Sequence, residues 1–402
     1  MATLRIPRFP LCYREADMNS ENIPHSSIDV AAIERELIAL WKTAGEDDEH
    51  GGVIRACVLN LLVYLPSNEA SNEVGELLTE VTAAYPSRAI AMIAEADAPS
   101  SISAFVTSRC TLPTATSKQV CCEQVTIMAG GEQVNEMPSA VAPLLLSDLP
   151  VYLWWRTVPM LADKVFKRLV DLADRVIIDS AAFADPHGDL LNLAVLIRET
   201  SRWAAVSDLN WSRLSEWRAL LASFYDVAGY RPLLDRLDRI VIEYAPLAED
   251  VGAIPPRTLL LGGWLTSRLG WQLDDQHTRR QGLISICEMT INEGKGSEKR
   301  RGRIEFTPVL HNEVEPGHIA SVSLMVAGEG AASFSVKKLA DGHRLETVVT
   351  LGEERRIGRV LGYGNPSESM LIGREMEILG HDRVYEQTVL AAGEMILALV
   401  QA

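Results

Sequence analysis

The chain has 402 residues, 47% apolar and 23% charged, the balance of a folded globular protein, which excludes a disordered or fibrous chain. Such a length is too great for one small core, and two domains are expected. The formal net charge of −16, from 38 Lys and Arg against 54 Asp and Glu, opposes broad attraction to nucleic acid or an anionic membrane, so neither is expected as the main partner.

Residues 1–27 carry Pro7 and Pro10 where a signal peptide would need an apolar helix, and they read as an N-terminal arm of a cytoplasmic protein. In "SSIDVAAIERELIALWK" the apolar Val30, Ile33, Leu37, Leu40 and Trp41 fall at helical spacing, with Ser27 or Asp29 as cap. Strand-like and helix-like stretches then alternate: "VIRACVLNLLVYL" as strand, "NEVGELLTEVTAAY" as helix, "SRAIAMIAEA" as strand. The adjacent strands "SISAFVTSRCTL" and "QVCCEQVTIM" suggest an antiparallel excursion. "NEMPSAVAPLLL" leads to the strand "DLPVYLWWR", the helix "MLADKVFKRLVDLA" and the strand "DRVIIDS". Three helical stretches between 187 and 237 precede the strand "RIVIEY" and the helix "PPRTLLLGGWLTSRLGW".

This alternation predicts an α/β domain over 28–273, with a mostly parallel sheet and helices on both faces. Beyond 273, strand-like runs joined by Gly-rich or charged turns and a helical end, "DRVYEQTVLAAGEMILALV", predict a smaller antiparallel α+β domain over 274–402.

In "DLPVYLWWR" the side chains of an extended strand alternate, so Val151, Leu153 and Trp155 face one way and Tyr152, Trp154 and Arg156 the other. Both faces are apolar, as in a strand covered on both sides. The stripe Trp211, Leu214, Trp217, Leu221 and Phe224, flanked by Arg213 and Arg218, reads either as core or as an interface anchor, since Trp and Arg serve both. Ligands of open parallel sheets gather beyond the carboxyl ends of strands. Trp155 and Arg156 stand at one such end, Asp179 and Ser180 at another, which makes them candidates for a crevice, with packing of the Trp rings as the alternative.

No phosphate-binding loop, nucleophile elbow, paired-histidine metal motif or dinucleotide fingerprint is present, and no cofactor is expected. Six cysteines, at 12, 57, 110, 121, 122 and 287, do not make a small disulfide framework. Cys121 and Cys122 are the most reactive-looking pair. Neighbours in a strand point to opposite faces, so the choice is between apolar packing and a thiol switch. The basic run "KGSEKRRGR" at 295–303 reads as a solvated hairpin tip or a docking site for an acidic partner or phosphate.

Taken in order, "VIRACVLNLLVY", "PSRAI", "QVCCEQVTI", "DLPVYLWWR", "DRVIIDS", "WSRLSEWRALLASFYD" and "LLLGGWLTSRLGW" resemble the glucose-6-phosphate dehydrogenase assembly protein, the OpcA family, over about residues 28–273. The resemblance implies a non-catalytic partner of glucose-6-phosphate dehydrogenase that promotes its active oligomer or raises its affinity for sugar phosphate. It places Arg88, Cys121, Cys122, Glu123, Trp154, Trp155, Arg156, Asp179, Ser180, Trp211, Arg213, Trp217 and Arg218 in the family's recurrent strings. Family members are linked to redox control, but no cysteine lies beyond Cys287, so a switch relying on a C-terminal cysteine pair would be absent. On this reading Arg88, Arg156 and Asp179 line a crevice walled by Trp155, where arginine forks hold a sugar-phosphate effector or an acidic side chain of the dehydrogenase. The competing reading is an enzyme or sugar-phosphate sensor using the same three residues.

Overall fold

The computed structural model describes residues 28–46, 54–55, 57–67, 71–111, 120–200, 204–247, 252–291, 299–309, 314–378 and 380–402. The expected arm at 1–27, most of the acidic stretch "GEDDEHGG" (47–52), expected as the loop that ends the first helix, and the start of the basic run at 295–298 lie outside these residues.

The first sheet holds β1 (Ile54–Arg55), β2 (Leu59–Leu65), β3 (Ser87–Glu95), β4 (Ser101–Thr111), β5 (Val120–Gly130), β6 (Val151–Trp155), β7 (Arg175–Ile178) and β8 (Ala205–Asp208). Its order is β1-β5-β3-β2-β6-β7-β8, every pair parallel, with β4 antiparallel on the outer side of β5. That antiparallel edge is the excursion the two adjacent strands suggested. The second sheet, ordered β10-β11-β12-β9-β13-β14-β15-β16, holds β9 (Arg239–Tyr244), β10 (Gln272–Gln281), β11 (Ile284–Ile291), β12 (Arg300–Pro308), β13 (Ile319–Val326), β14 (Ala332–Lys338), β15 (Arg344–Leu351) and β16 (Glu354–Gly362). It is antiparallel except where β9 runs parallel to β12.

One expectation needs correction here. "RIVIEY" does not close the parallel sheet; it is β9, at the centre of the second sheet between β12 and β13. Its residues alternate, with Ile240, Ile242 and Tyr244 buried and Arg239, Val241 and Glu243 half-buried, whereas β6, β7 and β8 are buried at every position. The sheets therefore change over between 208 and 239, ahead of the division expected at 273. The two sheets have equal strand numbers, eight each.

The helices are α1 (Val30–Glu46), α2 (Ser71–Ala84), α3 (Met137–Val141), α4 (Lys164–Val170), α5 (Pro186–Thr200), α6 (Leu209–Ser212), α7 (Ser215–Ser223), α8 (Arg231–Leu234), α9 (Pro256–Leu269), α10 (Glu368–Glu377) and α11 (Arg383–Gln401). One face of the parallel sheet, with Leu62, Tyr64, Leu153, Trp155, Val176 and Ile178, shares a core with Ile33 and Leu37 of α1 and Val165, Phe166 and Leu169 of α4. On the opposite face Leu61, Val63, Tyr152, Trp154 and Ile177 pack with Val74 and Leu78 of α2 and with Leu371, Ile372 and Met376 of α10. Half of that cover thus arrives from the far end of the chain. No helix among the described residues is long and apolar enough to cross a membrane.

Helix α9 is held between the second sheet and α11, and its adjacent glycines explain how closely. A Cβ at Gly262 would lie 2.7 Å from the Phe306 ring, and one at Gly263 would lie 2.3 Å from the Thr388 carbonyl oxygen. Helix propensity alone would reward alanine at either position. Gly263→Ala is expected instead to destabilise the protein by about 1–3 kcal/mol, because α9 and α11 must separate; urea unfolding of variant and parent measures it.

Candidate functional site

The carboxyl edge of the parallel sheet carries a polar network assembled from both halves of the chain. Asp179 follows β7 and meets Arg213 in a two-pronged ion pair, with Nη1 and Nη2 donating over 2.7 and 2.8 Å. Burial opposes the charge on Arg213, but the Asp179 bonds, with the charges of Asp179, Asp208 and Glu368, hold its pKa above the ordinary value. Asp208 ends β8 and is fully buried. Its Oδ1 accepts from the Ser180 and Asn210 backbone N–H groups at 3.0 and 2.9 Å, and its Oδ2 from the Ser180 hydroxyl at 2.6 Å and the Tyr385 hydroxyl at 3.4 Å. Burial, reinforced by the charge of Asp179, pushes this carboxyl up to about 6 despite those bonds. Asn210 continues the chain, donating to Ser180 Oγ at 3.0 Å and accepting from Arg257 Nε at 2.9 Å.

C-terminal residues close over this edge. Asp382 caps α11 by accepting from Val384 and Tyr385 N–H groups, and its other oxygen accepts from Trp211 Nε1 at 3.0 Å. The Ser212 hydroxyl donates to buried Glu375, and Arg218 lies 3.5 Å over the Trp211 ring. Burial lowers the Arg218 pKa to about 10, against the pull of Asp382, Glu375 and Glu216. Arg156 pairs with Glu368 at 3.3 Å and stacks over Trp154 at 4.6 Å.

The structure therefore brings Arg156, Asp179, Ser180, Trp211, Arg213 and Arg218 to one edge, and it removes Arg88 from them. Arg88 begins β3 at the amino end of the sheet, 2% exposed, bonded to Glu123 at 2.7 and 2.6 Å, Glu34 at 2.9 Å and the Leu144 carbonyl at 2.8 Å. It cannot line a crevice at the opposite edge. The tryptophans correct the expectation too. Trp155 is fully buried and stacked on Tyr64 at 3.9 Å, so it walls no crevice, while Trp154 and Trp217 are 1% exposed.

Cys122 is buried with Sγ 3.5 Å from the Thr82 carbonyl, and burial pushes its thiol up, away from the thiolate a switch needs. The side chain of Cys121 lies outside the described residues. In the basic run, Arg300 donates to the Asp235, Arg236 and Leu237 carbonyls and Arg303 pairs with Glu305 at 2.7 Å, so both are engaged internally as β12 begins.

Reasoning from the sequence missed Asp208, Asn210, Arg257 and Tyr385. A signal existed for the first: Asp208 at the end of β8 caps a following helical turn, as Asp179 just after β7 does.

Two interlocked sheets whose junction is an ion-paired strand edge closed by C-terminal helices make this an α/β protein with a built-in polar seam. Two family models match it: glucose-6-phosphate dehydrogenase subunit N-terminal domain over residues 78–195, and the corresponding C-terminal domain over 204–389. The chain belongs to the OpcA family. The OxPP cycle protein OpcA of Synechocystis sp. is 25% identical over 355 residues, covering 84% of this chain and 68% of that protein. The OpcA proteins of Nostoc punctiforme and Synechococcus elongatus are 33% and 32% identical over 48% and 52% of this chain, and the matched stretches span only 40% and 46% of their own lengths. Solved structures that resemble it include aldose-aldose oxidoreductase from Caulobacter crescentus, at TM-score 0.43 and 8% identity over 86% of this chain and 97% of that one. Myo-inositol 2-dehydrogenase from Lactobacillus plantarum has TM-score 0.41 and 8% identity over 85% and 96%. No activity is carried over at that level of likeness.

Two outcomes test the site. Arg88→Met removes the buried ion pair that Arg88 makes with Glu123 and is expected to cost about 3–5 kcal/mol in denaturant unfolding, far more than loss of an exposed charge. Asp208 has a raised pKa in the folded state, so its contribution is fully present below its ordinary value near 3.8 and is lost as pH rises towards about 6. Over that window parent stability should fall relative to Asp208→Asn by up to about 1.4 kcal/mol per pH unit; unfolding free energies measured across pH 3.5 to 7 check it.

Proposed function

We propose that this chain is a non-catalytic partner of glucose-6-phosphate dehydrogenase that favours the enzyme's active oligomer in the oxidative pentose phosphate cycle. Membership of a family whose two domain models both carry the dehydrogenase-subunit description is the observation that supports the reading. The strand edge agrees with it: Asp179 is bonded to Arg213 and Ser180 to Asp208, which suits a rigid binding surface.

An activator acts only through differential affinity, so it must contact the active form of the dehydrogenase more strongly than the inactive one. Among the residues singled out from sequence, Arg156, Asp179 and Arg213 keep part of their surface exposed, at 20%, 21% and 14%, and are the proposed contacts. The buried Trp154 ring supports Arg156 from beneath.

Mixing the purified chain with its host's dehydrogenase should lower KM or raise kcat and shift the enzyme to a larger species on size exclusion; unchanged kinetics and elution would refute the proposal. Arg156→Ala is expected to weaken activation about fivefold, as loss of a moderate interface contact does, with its melting temperature near that of the parent because an exposed ion pair adds little stability.

A further inference from the structure

Helix α11 buries most of its 19 residues against α9, α5 and the second sheet, with Tyr385, Val389, Ala392 and Ile396 fully enclosed. It meets α9 where Gly263 approaches Thr388, and α5 where a Cβ on Gly393 would lie 3.4 Å from that of Ala194. One stripe of the helix faces outward. Arg383, Gln387, Leu390, Glu394, Leu397 and Gln401 recur at alternating intervals of four and three residues, the spacing of a seam that meets another helix. Leu390 is half-buried and the other five are exposed. Leu397 is 50% exposed and Val400, on its flank, 68%, although the rest of the helix is core.

The stripe carries opposite charge at its two ends. Its amino half borders a groove of about 340 Å³ shared with α5, lined by Arg383 and by Arg198 of α5 together with Ile197 and Leu390. Glu386, the acid in that lining, lies 2.7 Å from His381 Nδ1, and Gln387 accepts from Arg268 of α9. The carboxyl half borders a second groove, of about 380 Å³, shared with β10. Glu394 and Asp275 line it with Leu273 and Leu397, and no basic residue does. Arg198, Arg383, Asp275 and Glu394 are all exposed, and none of them forms an ion pair among the described residues.

We propose that this face of α11 is a docking surface for a second copy of the chain, the two α11 helices packing antiparallel about a two-fold axis. A two-fold interface sets one patch against itself, so the patch must carry its own complement. A stripe that is basic at one end and acidic at the other meets that condition when the helices run antiparallel, because the basic groove of each copy then lies over the acidic groove of the other. Parallel helices would set like against like, so charge selects the orientation. A partner of a single charge sign would leave one groove facing its own sign, which disfavours a uniformly acidic or basic protein on this surface. Leu390 and Leu397, at inner positions of the stripe, supply apolar contact. The surface uses residues of this chain alone and is independent of whether the dehydrogenase is its partner.

Sedimentation equilibrium of the full-length chain tests this. The parent should dimerise with a Kd on the order of 10 µM in low salt and about tenfold more weakly near 0.5 M salt. Arg198→Glu with Arg383→Glu reverses the basic groove, and Asp275→Lys with Glu394→Lys reverses the acidic one. Each double variant alone opposes like charges and should associate at least about tenfold more weakly than the parent, with an unchanged melting temperature because all four positions are exposed. Mixed in equal amounts, the two double variants should form a heterodimer of parental strength, since each reversed groove then faces its opposite; a merely structural role for these residues gives no such rescue. A parent that stays monomeric at about 100 µM, a dimer indifferent to both variants, or a mixture that is not restored would each overturn the proposal. So would a monomeric chain whose binding to the dehydrogenase is lost in either variant, which would give the surface to that partner instead.

Discussion

A parallel sheet buried on both faces has to be covered twice, and this requirement ties the end of the chain to its beginning. Strands β2, β6 and β7 bury every residue, so the face bearing Leu61, Val63, Tyr152, Trp154 and Ile177 needs more apolar cover than α2 alone contributes. The rest comes from α10, after the whole second sheet has been laid down. Polar ties follow from the same contact: Tyr152 donates to the Met376 carbonyl at 3.2 Å, Arg175 to the Ile378 carbonyl at 2.8 Å and to that of Gly380, and Tyr85 to Glu377 at 2.6 Å. The two sheets cannot part without exposing Trp154 and stranding these donors.

The two edges of the parallel sheet show how buried charge is handled. At the amino edge Arg88 is saturated by Glu123, Glu34 and a carbonyl. At the carboxyl edge Asp179 answers Arg213, and Asp208 is surrounded by hydroxyl and backbone donors. Both arrangements satisfy their polar atoms internally, which stiffens the seam between the sheets.

Much of the architecture was legible along the chain. The alternation of apolar stretches marked β2, β3, β6 and β7 and the helices between them, and the double-faced apolar pattern of "VYLWW" correctly indicated a strand covered twice. The Trp-Trp-Arg end resolves into core: Trp155 belongs to one face, Trp154 to the other, and only Arg156 reaches the surface. Less legible were β9, whose polar alternate positions were the available clue, and α10, whose ten residues include only four apolar ones.

The sequence by itself determined most of the strands and helices of the first half, the two-sheet plan and the family, because periodicity and recurrent strings are properties of neighbours along the chain. Tertiary structure alone decided which sheet claimed β9, that α10 would complete the first half's cover, and that Arg88 and Arg156 would stand at opposite edges. The physical reason is that burial and charge pairing are settled between groups distant in the chain, Arg156 with Glu368, Trp211 with Asp382 and Asp208 with Tyr385, whose meeting no local pattern encodes.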